Sequence, residues 1–238
     1  MKCAVDLHIH SALSPCSEKD MTPNNIVNMA FLKQLDIIAV TDHNTAANTA
    51  AVCKCAEDSR LLVVPGMEIE TAEEVHLLGL FPDVKAALSL QETVYASLPP
   101  IDNREDIFGS QYIMDEEDNI TENLKRMLIT ATSLSIQEVF SLVAGIGGVV
   151  VPAHVDRNSY SILSNLGFIP EELEINCIEI SKQCDAEALL KKSRHLERYR
   201  LLRSSDAHSL GEILERESFL ELEELSVQCL LEKLKQPL

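Results

Sequence analysis

The sequence predicts an α/β fold, a seven-stranded β/α barrel, and two observations support that prediction. Short aliphatic runs alternate with segments that have helix-start signals, the pattern of βα units around a parallel sheet. Most of the runs are continuously apolar, as expected of parallel strands covered on both faces. Seven such runs favour a closed barrel over an open sheet. The predicted strands are residues 3–9, 35–42, 61–68, 75–81, 148–155, 176–181 and 199–206.

Two of the intervening helices have clear start signals. Thr22 stands as an N-cap directly before Pro23, a residue that favours the first helical position. Ser135 and Glu138 have the spacing of a capping box, and Gly145 is placed to end the same helix. Both segments are therefore predicted to be helices that follow strands.

Residues 82–134 interrupt the alternation after the fourth strand. Part of this stretch is turn-like (ASLPPIDNREDIFG) and part is acidic and polar (YIMDEEDNITENLKR). We expect an insertion with one or two helices of its own, inside a single domain that spans residues 1–238.

The composition limits the classes of partner. The formal net charge of −18 argues against broad electrostatic binding to long nucleic acids or anionic membranes, since phosphate contacts need a basic face. A small phosphorylated substrate, or the end of a short oligonucleotide, is compatible with that charge if bound metal ions offset it locally. The seven cysteines have no paired secretory spacing and no export signal is visible, so we expect reduced thiols and a cytoplasmic protein. The oligomeric state is not readable from the sequence.

Histidines and carboxylates stand where the predicted strands begin or end. His8 and His10 are two residues apart, so their side chains point to the same face of a strand. In a parallel barrel the carboxyl ends of the strands share one face, where the active sites of such barrels lie. The residues that we expect to meet there are His8, His10, Asp42, His43, Glu68, His76, His154, Asp206 and His208.

This ligand set indicates the metal and the reaction. Mixed imidazole and carboxylate ligands suit Zn²⁺, Mn²⁺ or Fe²⁺, whereas an all-oxygen set suits Mg²⁺ or Ca²⁺. There are more candidate ligands than one ion can use, so two or three divalent ions are expected. Clustered ions activate a water and stabilise both the attacking and leaving oxygens of a phosphoryl group, which is hydrolytic chemistry.

Taken in order, the motifs resemble those of the PHP (polymerase and histidinol phosphatase) family. They are DLHIHS, AVTDHN, GMEIE, the separated His76, PAHVDR and SSDAH, and they extend over about residues 3 to 211. The resemblance implies a distorted seven-stranded, TIM-barrel-like β/α barrel with a trinuclear metal centre that hydrolyses phosphoesters.

Transferred to this chain, the resemblance implies the following ligands. His8 and His10 hold a first ion, and Glu68 bridges it to a second. The other ligands that it implies are His76 and His154 for the second ion, His43 and His208 for the third, and Asp206 near the first.

The family usually supplies one more acid shortly after the two histidines, often in an SDG turn. The corresponding stretch here is SALSPCSEKDMTP, in which Pro15 stands where the acid is expected. Asp20 or Glu18 could replace that acid from a longer loop. We favour Asp20 as the ninth ligand.

Other residues have expected roles around the ions. A metal-bound hydroxide is the expected nucleophile, and His208 or His43 is the candidate proton donor to the leaving group if its ring is not fully coordinated. Arg157 is the best-placed arginine for gripping a phosphate. Asn44 and Ser181, both at strand ends, are candidate hydrogen-bond donors to the substrate.

The sequence thus predicts a metal-dependent phosphoesterase that acts on a small phosphomonoester or a nucleotide phosphate. An amidohydrolase-type enzyme is an alternative, since those barrels also open with His-x-His. They usually bring a strand-end lysine, however, where this chain offers Glu68. An exonuclease acting on short nucleic-acid ends and a non-catalytic, metal-binding PHP module are also compatible with these motifs.

Overall fold

The computed structural model describes all of residues 1–238, in which strands and helices alternate. The strands are β1 Lys2–Ile9, β2 Ile37–Val40, β3 Leu62–Glu70, β4 His76–Leu80, β5 Tyr112–Met114, β6 Ile120–Asn123, β7 Val149–Pro152, β8 Cys177–Ile180, β9 Arg200–Arg203 and β10 Phe219–Glu221. The α-helices are α1 Pro23–Leu32, α2 Thr49–Cys55, α3 Val84–Ser97, α4 Glu105–Phe108, α5 Ile136–Gly145, α6 Ile162–Leu166, α7 Ala186–Lys192 and α8 Val227–Lys235.

Six strands form one curled, half-barrel sheet in the order β10-β1-β2-β3-β4-β7. Strands β8 and β9 form a separate parallel pair. The two sheets approach each other at the carboxyl ends of their strands. There, the Val155 N–H donates to Glu179 O at 2.8 Å, and the His10 N–H donates to Ala207 O at 2.9 Å. These bonds bring the ends of β7, β8, β9 and β1 together around one volume.

The direction of β4 differs from the expected parallel arrangement. Strand β4 runs antiparallel to both β3 and β7, with Glu70 paired to His76. The physical reason is the link between β3 and β4, residues 71–75, which is too short for the crossover that a parallel pair needs. As a result, the start of β4 lies beside the carboxyl ends of β1, β2 and β3. That is why His76, at the first position of its strand, reaches the same volume as Glu68.

Strand β1 contains a bulge between Asp6 and Ile9. Three steps along β1 match two along β2, from Ile38 to Val40. Before the bulge, Val5 and Leu7 belong to the inner apolar cluster, which takes members from β1, β2, β3, β4, β7, β8 and β9. Beyond it, His8 and His10 face that same interior. An extra residue in one strand re-aims the following side chains in this way.

The two helix starts that the sequence predicts are confirmed. Thr22 Oγ1 accepts a hydrogen bond from the Asn25 N–H at the start of α1, and Pro23 is its first residue. Ser135 and Glu138 form a capping box at the start of α5, which ends at Gly145.

Residues 82–134 contain two helices, α3 and α4, within the one or two that the sequence analysis expected. They also contain the hairpin β5–β6, which the sequence analysis did not predict. The stretch is attached to the loops at the carboxyl ends of β1 and β2. Leu13 packs with Leu98 and Leu128, and Asn44 Nδ2 donates to Leu128 O at 2.7 Å. The short strand β10, which pairs antiparallel with β1, was also not predicted.

The Ser135 cap provides a test of this local structure. We expect Ser135→Ala to lower the free energy of unfolding by about 0.5–2 kcal/mol, because the Glu138 N–H loses its acceptor. Urea denaturation followed by circular dichroism measures this difference. Gln137→Ala, at an exposed position of the same helix, is the matched control. Equal stability of the two variants would contradict the assigned cap.

Candidate metal centre

His8 and His10 each have a hydrogen-bond partner at Nδ1, and this orientation directs their Nε2 atoms into the site. Both side chains are fully buried, and the two Nε2 atoms lie 3.1 Å apart. On the opposite edge of each ring, His8 Nδ1 lies 3.0 Å from Glu179 Oε1, and His10 Nδ1 lies 2.9 Å from Ser14 Oγ. An acceptor behind a ring fixes the Nδ1–H tautomer and leaves the Nε2 lone pair free for a metal ion.

The Glu68 carboxylate lies at the middle of the site and is only 1% exposed. Five imidazoles surround its oxygens. The nearest ring nitrogens are His76 Nδ1 at 2.9 Å, His43 Nδ1 at 2.9 Å, His8 Nε2 at 3.3 Å, His154 Nε2 at 3.3 Å and His10 Nε2 at 3.4 Å. Burial would raise the pKa of this carboxyl, but the imidazoles of His76, His8 and His43 hold the pKa well below its usual range.

Three overlapping groups of side chains have ligand atoms close enough to hold an ion, within 4.8 Å of one another. We name them by their members. The first group is His8, His10, Glu68 and Asp206; the second group is His43, Glu68 and His76; the three-histidine group is His10, His43 and His208. His154 belongs to none of them, but its Nε2 faces Glu68 Oε1.

The loops after β7 and β9 turn sharply to present two of these side chains. His154 has φ +29° and Asp206 has φ +53°, values that non-glycine residues rarely adopt. Such backbone strain concentrates at functional sites, where the surrounding structure enforces it. The His154 N–H donates to Glu179 Oε1 at 3.0 Å, which fixes the turn.

The side chains fit divalent metal ions. Glu68 Oε2 is buried and has no hydrogen-bond partner, although it lies 2.9 Å from His43 Nδ1. Two ligand atoms that approach closely outside hydrogen-bonding geometry are expected where both point at a shared ion. Burial, together with nearby His208 and His43, keeps the pKa of His10 well below its usual value, so that this ring is neutral and able to bind metal. The imidazole and carboxylate donors suit zinc, manganese or iron.

Glu179 is a functional residue that the sequence analysis missed. This carboxylate is 1% exposed and contacts both His8 Nδ1 and the His154 backbone. An acid in the otherwise aliphatic run CIEI was the available signal, because a buried carboxylate needs partners.

A network of hydroxyls supports His10 from the other side. Asp42 accepts from the Ser11 N–H, the Ser11 hydroxyl and the Ser14 hydroxyl, at 2.6–2.7 Å. Ser14 Oγ in turn contacts His10 Nδ1. Asp42 therefore orients a ligand rather than facing the ions. Asp6 likewise accepts from the backbone N–H groups of Ser205 and Leu214.

The structure does not bring Asp20 or Glu18 into the site. Both side chains are exposed, and neither belongs to a group that could hold a metal. The physical reason is the path of the loop. The Met21 N–H donates to Glu18 O and the Ala12 N–H donates to Met21 O, which folds this segment back onto itself with the acids outward.

Cys16 lies nearer the site than either acid. Partial burial of its thiol opposes ionisation, but contacts with the imidazoles of His208 and His43 lower the pKa of the thiol to about 6. The sequence analysis did not assign this residue a role.

Asn44 and Ser181 have partners other than the site. Asn44 bonds to the carbonyls of Leu128 and Thr130 and accepts from the Glu70 N–H. Ser181 donates its hydroxyl and its N–H to the carboxylate of Asp156. Both side chains are thus engaged in holding loops, and the proposed hydrogen bonds to substrate would require those bonds to break.

Arg157 does reach the site. Its guanidinium is 43% exposed, and Nη1 lies 2.6 Å from Asp206 Oδ2. It lines a cavity of about 170 Å³ that opens over the metal groups. The other residues that line this cavity are His43, Glu68, His76, His154, Ser159, Tyr160, Asp206 and His208.

A larger cleft of about 530 Å³ lies away from the site, between α5, β7 and α8. No histidine lines it. The ionisable cluster, and not cavity size, therefore identifies the candidate site. None of the helices has the length and apolarity needed to cross a lipid bilayer.

Comparison with protein families agrees with this geometry. The family model described as "PHP domain" matches residues 6–162, a span that runs from the start of the first motif to α6. The chain belongs to the PHP domain family. The matched span includes the site residues from His8 to His154, and Glu179, Asp206 and His208 follow it along the chain.

Individual relatives share parts of this PHP domain. The 5'-3' exoribonuclease Rnm of Escherichia coli is 36% identical over 87 residues, which cover 33% of this chain and 28% of Rnm. An uncharacterized protein of Methanocaldococcus jannaschii is 35% identical over 101 residues, which cover 37% of this chain and 57% of that protein. The matches thus cover well under two thirds of the curated relatives.

Solved structures share the fold at low sequence identity. The lesion-specific endonuclease EndoQ of Pyrococcus furiosus is 19% identical with a TM-score of 0.67, covering 99% of this chain and 56% of EndoQ. A candidate metal-dependent phosphoesterase of Bifidobacterium adolescentis is 21% identical with a TM-score of 0.59, covering 91% and 92% of the two chains. These likenesses show the α/β fold of PHP domains.

The metal groups generate a first test of the site. We expect Glu68→Gln to lose bound metal relative to the parent, because Glu68 belongs to two of the three groups and supplies negative charge to both. Asp20→Asn should keep the full metal content, since Asp20 is exposed and outside all groups. Elemental analysis of purified protein measures the ions per chain. Metal loss in Asp20→Asn would return that residue to the ligand set.

Proposed function

We propose that this chain is a metal-dependent phosphoesterase that hydrolyses a small phosphomonoester or a nucleotide phosphate with two or three divalent ions. The observation that carries the proposal is the buried carboxylate of Glu68, shared among five imidazoles beneath a cavity. A carboxylate shared by adjoining ligand groups is suited to bridge two ions. When bound, such ions supply Lewis acidity and an activated water nucleophile.

Arg157 is the residue that we assign to the phosphate. It projects from the loop after β7 into the cavity, and its half-exposed guanidinium keeps donors free beyond the contact with Asp206. The planar guanidinium suits bidentate bonds to two phosphate oxygens. Asp206 orients this group, so the substrate meets an already positioned cation.

His43 and His208 were expected as proton donors to the leaving group, a role that requires an uncoordinated ring. Their geometry favours the ligand role. His208 Nδ1 lies 2.9 Å from Asp206 O, a contact that places the proton on Nδ1 and leaves the Nε2 lone pair available to an ion. We therefore propose both rings as metal ligands. Water in the cavity is then the proton source for the leaving group.

A nuclease that acts on short nucleic-acid ends is the second candidate function. Tyr160 favours it, because its ring stacks on His76 with centroids 4.9 Å apart and an interplanar angle of 26°. This ring is 47% exposed beside the cavity and could stack with a nucleobase. The partial similarity to an exoribonuclease supports the same candidate.

An amidohydrolase-type enzyme and a non-catalytic PHP module have less support. Lysine is absent from the residues that line the cavity, so the bridging group typical of amidohydrolase-type sites has no counterpart there. The non-catalytic module is less favoured because the ligand groups are nearly complete and a cavity opens onto them.

We further interpret the six-stranded sheet and the β8–β9 pair as one distorted barrel of seven main strands, with residues 82–134 as an insertion in a single domain. Backbone hydrogen bonds at the strand ends and the inner apolar cluster support this interpretation. We also propose a reducing, cytoplasmic location, on the same grounds of cysteine usage as in the sequence analysis.

Phosphate release by metal-stripped protein, resupplied separately with Mn²⁺, Zn²⁺, Fe²⁺ and Mg²⁺, tests the proposed function. The substrates are sugar phosphates, nucleoside monophosphates and bisphosphates, and 5'-phosphorylated oligonucleotides. We expect turnover that depends on metal and is lost in His10→Ala and Glu68→Ala. Mononucleotide products from the oligonucleotides would select the nuclease. Metal-loaded protein that is inactive on every phosphoester would refute the phosphoesterase.

Arg157 provides a separate prediction. We expect Arg157→Ala to lower kcat/KM by about 10–100-fold, the equivalent of one charge-assisted hydrogen bond of about 1.5–3 kcal/mol. Arg104→Ala, at an exposed pair with Asp106 in the insertion, is the control and should match the parent. Steady-state kinetics, with metal content measured on the same samples, checks both. An unchanged kcat/KM in Arg157→Ala would remove this residue from the substrate site.

A further inference from the structure

The three-histidine group differs from the other two metal groups in charge. The first group contains the carboxylates of Glu68 and Asp206, and the second contains Glu68. The three-histidine group contains only imidazoles. A divalent ion bound by neutral ligands alone keeps its full charge in a site where His10 is completely buried. An anionic ligand beside this group would offset that charge.

Cys16 is placed to be that ligand. Its thiol lies close enough to the imidazoles of both His43 and His208 to interact with each of them. The centroids of these two rings are 6.1 Å apart, so one thiol lies beside both rings.

The loop that carries Cys16 is anchored on both sides of it. Before it, Ser14 Oγ lies 2.9 Å from His10 Nδ1. After it, the Glu18 N–H donates to His208 O at 2.8 Å. These two bonds connect the loop to two members of the three-histidine group. The position of the thiol is thus a consequence of the site's own structure.

The other cysteines with partly exposed side chains lack such contacts. Cys53 Sγ faces Val63 O, and Cys55 Sγ faces Glu116 O, both backbone carbonyls outside the site. The contact with two imidazoles is therefore not a general property of thiols in this chain.

We propose that Cys16 is the fourth ligand of an ion held by the three-histidine group, in place of the acid expected after His8 and His10. On binding, the thiol releases its proton to solvent and the sulfur donates an electron pair to the ion. A thiolate among imidazoles favours zinc, iron or cobalt over magnesium. This inference rests on the metal centre of the proposed function.

Cobalt gives a direct readout of the sulfur, independent of activity. The metal-stripped full chain is titrated with Co²⁺ and followed by absorption spectroscopy. We expect a sulfur-to-cobalt charge-transfer band in the near ultraviolet, together with visible bands of the cobalt ion. Cys16→Ser should lose the charge-transfer band and bind one ion fewer per chain. Cys55→Ser, the matched control, should keep both.

Alkylation of the parent protein gives a second measurement that needs no variant. Cys16 is exposed, so iodoacetamide can reach it in the metal-stripped chain. We expect Zn²⁺ to protect Cys16 at least tenfold, with Cys55 labelled equally in both states, as quantified by peptide mass spectrometry.

The outcomes separate this inference from the proposed function. Cobalt binding without a charge-transfer band, or a band that persists in Cys16→Ser, would overturn the cysteine ligand and leave the phosphoesterase intact. Absence of any metal binding by the parent would refute the metal centre itself. Equal alkylation of Cys16 with and without Zn²⁺ would also overturn the ligand.

Discussion

The buried charge of Glu68 is the constraint on which the site depends. An isolated carboxylate at this depth would be protonated or would destabilise the fold. Here five imidazoles approach it, and their tautomers are set in part by other groups, Glu179 behind His8 and Ser14 behind His10. Glu179 and Ser14 thus orient the two imidazoles, and the imidazoles in turn stabilise the charge of Glu68. Without divalent cations, the ring nitrogens and carboxylate oxygens face each other more closely than their hydrogen-bonding capacity explains, and this makes metal ions the natural occupants.

The sheet topology delivers these groups to one place from distant parts of the chain. Parallel strands bring the ends of β1, β2 and β3 together, and the antiparallel β4 adds His76 through its first residue instead of its last. Left-handed backbone at His154 and Asp206 then turns two more side chains inward. The aliphatic side chains of the inner cluster fill the interior of the sheet beneath the site.

Much of this arrangement could be predicted from the sequence, because it depends on local patterns. Each of the seven predicted strand segments contains a strand, although the structure has ten strands in all. Seven of the eight other expected ligands lie in the same site as Glu68, since strand ends and residue spacing determine where they point. The features that the sequence analysis predicted wrongly or missed depend on loop paths and on packing between distant parts of the chain. Asp20 and Cys16 share one loop, and only its folded path shows that the thiol, and not the carboxylate, lies near the histidines of the site. Glu179 acts through partners far away in the sequence, and the direction of β4 follows from the length of a turn.

The bulge in β1 divides the strand into a first half that packs in the core and a second half that carries metal ligands. Up to Leu7, the inward positions hold aliphatic residues of the core; from His8 onward, they hold the ligands, with the alternation shifted by one residue. Homologous chains can therefore exchange residues in the first half to suit packing without disturbing the metal ligands. Insertion or deletion of a single residue is different, because it would invert the second half while leaving the first in place. Such a chain would keep a hydrophobic interior and lose its chemistry, a route by which a folded but inactive paralogue could arise.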